Sequence, residues 1–150
     1  MTRVLVVNHD PDIADIEADE LRRAGYDVDL CAGPDASGNC PVMHGRSCWQ
    51  VDLADVLVYD MWASGDGRRA LIDDLALVHP NKPVVLTSAG ALMLDWVPSE
   101  KSCDATLLGA PTRSELVGAV TVAANAGRRR AAEPPSRPPA PRWTALAHRW

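Results

Sequence analysis

The sequence predicts an α/β protein built on a doubly wound sheet of five parallel strands, with helices on both faces. Three observations predict it. Short aliphatic runs without polar alternation recur along the chain, as at Val4–Val7 and Val84–Leu86, and such runs suit parallel strands buried on both faces. Stretches with helical spacing separate them, and strand–helix alternation builds a parallel sheet through right-handed crossovers. The chain has 150 residues, 47% hydrophobic and 23% charged, enough for one domain with a real core and not comfortably for two.

The elements follow in order. Val4–Val7 is the first strand, a run that stops abruptly at Asn8, His9 and Asp10. Asp10-Pro11 opens a helix, because proline suits the first helical position and Asp12, Asp15 and Glu17 favour its positive end. Ile13, Ile16 and Leu21, with Ala14 and Ala24, form its apolar stripe, and Gly25 stops it. Tyr26–Leu30 alternates and reads as an edge strand. From Cys31 to Asp52 the pattern is lost to Gly, Pro, Ser and Asn, and irregular segments of that length are more often functional than not. Ala54–Asp60 is the third strand, ending in a carboxylate. Arg68–Val78 is a helix with Leu71, Ile72, Leu75 and Val78 on one face. Lys82–Ser88 is the fourth strand, a short weak helix lies between Ala91 and Val97, Ala105–Pro111 is the fifth strand, and Arg113–Ala126 is the last helix. The domain is expected over residues 1–127. Residues 128–150, rich in Pro and Arg with no apolar period, are expected to form a disordered tail. Phe is absent, so Val, Leu, Ala and the five Trp are left to fill the interior.

Composition excludes several classes. No run of 18 apolar residues spans a membrane, and the first ten residues reach Asp10 too soon for a signal peptide, so a cytoplasmic protein is expected. Residues 1–127 hold 9 of 15 Lys+Arg and 19 of 20 Asp+Glu, about −10, while the remaining 23 residues carry about +5. An acidic body with a basic tail does not point to nucleic acid, though the tail could touch an acidic partner. No Ser/His/Asp constellation or phosphate-binding glycine loop is present, so no enzymatic activity is expected. The strands' carboxyl ends, where open parallel sheets gather ligands, carry Asn8, His9, Asp10, Cys31, Asp60, Thr87, Ser88, Ala110 and Pro111.

Over about residues 3–126 the chain resembles the receiver (CheY-like) domain of bacterial response regulators, the proteins of two-component signal transduction and the phosphorelay. "RVLVVNHDPDI…LRRAGYDVDL" is similar to that family's opening strand, acidic turn and first helix. "ADVLVYDMWASGDG" is similar to its phospho-acceptor strand and following loop, and "KPVVLTSAG" and "ATLLGAPTRSELVGAV" to its last two strands and closing helix. The resemblance implies a flavodoxin-like sheet in the order 2-1-3-4-5. It places the phospho-acceptor at Asp60, the phosphoryl-binding hydroxyl at Thr87, the acidic pair at Asn8 and His9 with Asp10 flanking, and the family's lysine at Ala110, ahead of Pro111. Asn8 is neutral, and His9 suits softer metals than Mg²⁺. Ala110 offers no countercharge, and the loop after Asp60 is one residue short. The expectation is therefore a degenerate, stand-alone pseudo-receiver, with Asp60 a structural relic or a slow acceptor and no Mg²⁺. Such a protein acts on a protein partner of the signalling or kinase-like class, with Leu92, Met93 and Trp96 as candidate contacts.

A second reading attaches to the segment after the second strand. Cys31, Cys40, His44 and Cys48 follow the pattern C-x8-C-x3-H-x3-C. Three thiolates and an imidazole could hold Zn²⁺, and three thiolates could hold an iron–sulfur cluster. A Cys40–Cys48 disulfide and plain buried thiols are the alternatives, and Cys103 is expected in the core, apart from the set. On this reading the chain is a metal- or redox-responsive sensor.

Overall fold

A computed structural model describes residues 1–34, 39–60, 71–88, 104–108 and 111–134. Five strands, β1 (Arg3–Val7), β2 (Asp27–Cys31), β3 (Val56–Asp60), β4 (Val84–Ser88) and β5 (Ala105–Leu108), pair in parallel in the order β2-β1-β3-β4-β5. This is the expected sheet and the expected order. Helices α1 (Pro11–Arg23), α2 (Trp49–Leu53), α3 (Leu71–Val78) and α4 (Arg113–Ala132) accompany it, with a 3₁₀ turn at Pro41–His44.

Side chains alternate across the strands, and that alternation divides the core into two layers. Val4, Val6, Val28, Val56, Val58 and Val85 face α1 and α4, where they meet Ala14, Ala18, Leu21, Leu116, Val120 and Ala123. Leu5, Val7, Leu57, Tyr59, Val84 and Leu86 face the other way, against Val42, Val51, Leu71, Ile72 and Leu75. Each such side chain, fully buried, contributes roughly 1.5–3 kcal/mol. Among the described residues Tyr59 is the largest fully buried side chain. Trp49, one of the residues expected inside, is 68% exposed.

Several boundaries depart from the sequence reading. β2 begins at Asp27 and extends to Cys31, because Val7 pairs with Cys31 across the β1–β2 ladder. β4 begins at Val84 rather than Lys82. In α1 the buried positions are Ala14, Glu17, Ala18 and Leu21, while Ile16 is exposed. The true stripe runs i, i+3, i+4, i+7 from Ala14 and carries a carboxylic acid. Asp10 caps that helix, accepting from the backbone N–H groups of Asp12 and Ile13, and Gly25 leaves it with φ of +95°. The segment read as wholly irregular contains the 3₁₀ turn and α2.

The last helix runs six residues beyond its expected end, so the boundary placed after residue 127 falls inside it, and residues 128–132 are helical. Gly127 lies inside this helix as a packing glycine. A Cβ there would sit 2.4 Å from the Cγ of Pro83, so only glycine lets α4 pass this close to the start of β4. Beyond it, Arg130 pairs with Asp104 at 2.6 Å, and Asp104 also accepts from the Val84 N–H. A Thr112–Glu115 capping box opens the same helix. The expected short helix at 91–97, the first residues of the expected helix at 68–78 and the tail from residue 135 lie outside the described residues. No described helix is long and apolar enough to cross a membrane.

Candidate functional site

Strand parity sends chemistry to two places at the carboxyl rim of the sheet. Asn8 continues the Val4, Val6 side of β1, Asp60 the Val56, Val58 side of β3, and Thr87 the Val85 side of β4. All three therefore lie toward the layer of α1 and α4. Cys31 and Tyr59 have the opposite parity and lie toward α2 and α3.

On the first face Asp60 is 2% exposed and in register with Thr87. His9 Nδ1 lies 3.0 Å from Asp60 Oδ2. With the carboxylate ionised, Nδ1–H is the donor, and the proton belongs on that nitrogen. The imidazole side is half exposed, so the pair is worth about 1 kcal/mol rather than the larger figure of a buried ion pair. Asn8 Oδ1 accepts from the Asp10 N–H at 2.9 Å. Asn8 is buried, and its Nδ2 finds no hydrogen-bond partner among the described residues. Asp10 Oδ1 is spent on the helix cap. The Thr87 hydroxyl donates to the Tyr59 carbonyl at 3.4 Å, a long bond that satisfies a strand-end backbone group.

Sequence reasoning missed Glu17. It occupies the inner stripe of α1 with 5% exposure, and its carboxyl is pushed up to about 7, first by burial and then by the negative charges of Asp60 and Glu20. The Asn8 amide pulls weakly the other way, although its Nδ2 lies outside hydrogen-bonding geometry. The signal was present in the spacing Ala14, Glu17, Ala18, Leu21, which was obscured by the neighbouring isoleucines.

The receiver resemblance implies Mg²⁺ beside the acceptor, and these residues do not fit it. Mg²⁺ demands a near-octahedral oxygen shell. Here one oxygen of Asp60 is engaged by His9, the Asn8 oxygen by a backbone N–H, and one oxygen of Asp10 by the helix cap. Among the described residues no group of three or more His, Cys, Asp or Glu is placed to hold a metal ion. Ala110, at the lysine position, lies outside the described residues, as do Leu92, Met93, Trp96 and Cys103.

On the second face the structure gathers the thiols. Cys31, Cys40 and Cys48 are free, half-buried and packed against one core layer. Cys31 Sγ accepts from the Gly33 N–H at 3.4 Å, and the Cys48 N–H donates to His79 Nε2 at 3.2 Å. His79, which follows α3, is the acceptor of this backbone group. Burial pushes its pKa down, against the pull of Asp52. Burial likewise pushes the Cys31 thiol up, as do Cys48 and then Cys40. His44 ends the 3₁₀ turn and is exposed, and the four residues of the expected metal set are not placed to hold one ion. A cleft of about 460 Å³ at the other end of the sheet, lined by Asp55, Lys82 and Arg128 among others, includes neither cluster.

The sheet order, the acidic rim position at Asp60 and the flanking helices define the fold of response-regulator receiver domains. Solved structures place the chain there. A response regulator receiver domain protein from Clostridium thermocellum matches with a TM-score of 0.68 at 16% identity, over 89% of this chain and 100% of that one. The N-terminal domain of a response regulator/sensory box/GGDEF three-domain protein from Carboxydothermus hydrogenoformans matches at 0.62 and 18%, over 87% and 99%. A CheY-like receiver domain protein from Methanospirillum hungatei matches at 0.59 and 14%, over 87% and 98%. No protein-family model matches the chain, and no curated protein matches it in sequence.

Proposed function

We propose that this chain is a degenerate receiver acting as a signalling or adaptor module through protein–protein contact, independently of phosphorylation at Asp60. One observation carries the reading: the His9 imidazole holds Asp60 Oδ2 at 3.0 Å. His9 stands where the family keeps a carboxylate, so an internal donor occupies the place of the cation. A carboxylate held this way has one oxygen committed. The phosphoryl group it would accept has no lysine at position 110 to offset its charge. Glu17 beneath it adds negative potential whenever it ionises. The partner is a protein of the signalling class, kinases included, and its binding face is constitutive rather than gated.

The test is incubation of the full chain with acetyl phosphate and Mg²⁺, followed by intact mass and peptide mapping. No acyl phosphate on Asp60 is expected, whereas the Asn8→Asp, His9→Asp, Ala110→Lys triple variant should gain one. Ready modification of the native chain at Asp60 would refute the reading.

A further inference from the structure

The amino end of the sheet, opposite the rim that carries Asp60, holds the cleft of about 460 Å³, between the residues just ahead of β3 and β4 and the last turns of α4. That volume falls in the range of small-molecule sites. We propose that this cleft binds a small zwitterion of the amino-acid class, with Lys82 and Arg128 taking its carboxylate and Asp52 and Asp55 its ammonium. The proposal is independent of the reading above, because no group of the Asp60 rim lines the cleft.

The charges lining the cleft are of both signs and are not paired with one another. Lys82 Nζ donates to the carbonyl oxygens of Ala54 at 2.6 Å and Asp52 at 3.3 Å. Its remaining N–H has no partner among the described residues, and no carboxylate there lies within ion-pair distance of it. Arg128 donates to the Asn125 side-chain oxygen at 2.6 Å and likewise pairs with no carboxylate among the described residues. Asp55 accepts from the Arg3 N–H at 2.8 Å, a bond that fixes the carboxylate and leaves its charge unanswered. Asp52 lies 3.4 Å from His79 Nδ1, and burial holds that imidazole toward its neutral form. Burial also pushes the Lys82 pKa down, while Asp52 and then Asp55 pull it back up. The ammonium is thus partly desolvated, and a carboxylate brought against it makes a charge-assisted contact that the fold itself does not supply.

This mixture of charges selects the guest. A polyanion such as a phosphate ester meets Asp52, Asp55 and an acidic body of about −10. A polycation meets Lys82 and Arg128. A molecule with one charge of each sign satisfies both pairs. The groups are also held in advance of binding. Asp55 is fixed from both sides by Arg3, since its own N–H donates to the Arg3 carbonyl at 2.8 Å. Gly127 lets α4 lie against Pro83, and Pro83 with Ala124 gives the guest's side chain an apolar wall. Prior ordering of this kind lowers the cost of binding.

The experiment uses the full chain labelled with nitrogen-15 and follows its backbone amide resonances. The common L-amino acids and trialanine are each titrated into the millimolar range, followed by the N-acetylated and C-amidated forms of whichever binds. At least one zwitterion should move the Asp55, Lys82 and Ala131 resonances saturably, and comparing the free amino acids with trialanine tells which source the cleft prefers. Blocking either end should weaken binding by about tenfold or more, the loss expected for one charge-assisted contact. Arg128→Ala should weaken the free zwitterion by that factor and the amidated form little, and Asp55→Asn should do the same with the acetylated form. Arg128 is exposed and asparagine keeps the acceptor that Asp55 offers Arg3, so both variants should keep the native spectrum elsewhere. Resonances that no zwitterion moves, blocked forms that bind as tightly as free ones, perturbation confined to the Asp60 rim, or a preference for inorganic phosphate would each overturn the proposal.

Discussion

Replacing Glu17 by Gln keeps the side chain's shape and removes its ability to ionise. The folded chain holds the Glu17 proton up to about pH 7, against an ordinary value of 4.5. Folding therefore takes up a proton between those limits. A raised acid of this kind contributes its full share below pH 4.5 and loses it as pH rises through 7. The gap corresponds to about 3 kcal/mol, at about 1.4 kcal/mol per pK unit. Urea unfolding at pH 4.5, 6 and 8 measures it, with the slope m unchanged between the two proteins. Glu17→Gln should match the native chain at pH 4.5 and exceed it by up to about 3 kcal/mol at pH 8. His79 titrates in the opposite sense in both proteins, so the difference between them isolates Glu17. Parallel stability curves for the two proteins would refute the buried-acid argument.

Other outcomes follow from the same geometry. His79 has its pKa lowered by burial, so its share of stability is present above its ordinary value near 6.5 and is lost as pH falls below it. His79→Phe should flatten that acid limb and cost about 1–2 kcal/mol by orphaning the Cys48 N–H, read from urea midpoints. Gly127→Ala should lower the melting temperature, although alanine is the better helix former by about 1 kcal/mol. Its Cβ would meet the rigid Pro83 ring at 2.4 Å, a clash worth about 1–3 kcal/mol. Thr112→Ala removes the hydroxyl that accepts from the Glu115 N–H and should cost about 1 kcal/mol in thermal unfolding monitored by circular dichroism.

The sheet was legible because its strands are written as uninterrupted aliphatic runs, and no other pattern in the chain competes with them. The order of the strands came from the resemblance rather than from the runs themselves. Helix α1 was legible in extent through Asp10, Pro11 and Gly25, but not in orientation. Ile13 and Ile16 outweigh Ala14 and Ala18 on any hydrophobicity scale, yet tight packing of α1 on the sheet selects the small residues. That choice rotates the helix by about one position and carries Glu17 inward. Helix α2 was not legible because five residues are too few to display a helical period, and its Trp49 and Leu53 are exposed. The extension of α4 past Ala126 was not legible, because a glycine that permits close approach and one that ends a helix look identical in sequence. Asn8, His9, Asp60 and Thr87 were placed at one rim by strand ends alone. The hydrogen bond from His9 to Asp60 needed coordinates, since nothing in the sequence fixes the imidazole's direction. Likewise, the three thiols could be grouped by spacing, but their packing against one core layer needed coordinates.

The claim that most depends on geometry is that His9 fills the cation's place at Asp60. Nitrogen-detected NMR of the histidine rings tests it directly, by following His9 Nδ1 in the native chain, in Asp60→Asn and during a Mg²⁺ titration. The account predicts a protonated Nδ1 whose resonance shifts when Asp60 becomes Asn and stays fixed as Mg²⁺ is added. A resonance indifferent to Asp60→Asn, or one that Mg²⁺ displaces in the native chain, would contradict it.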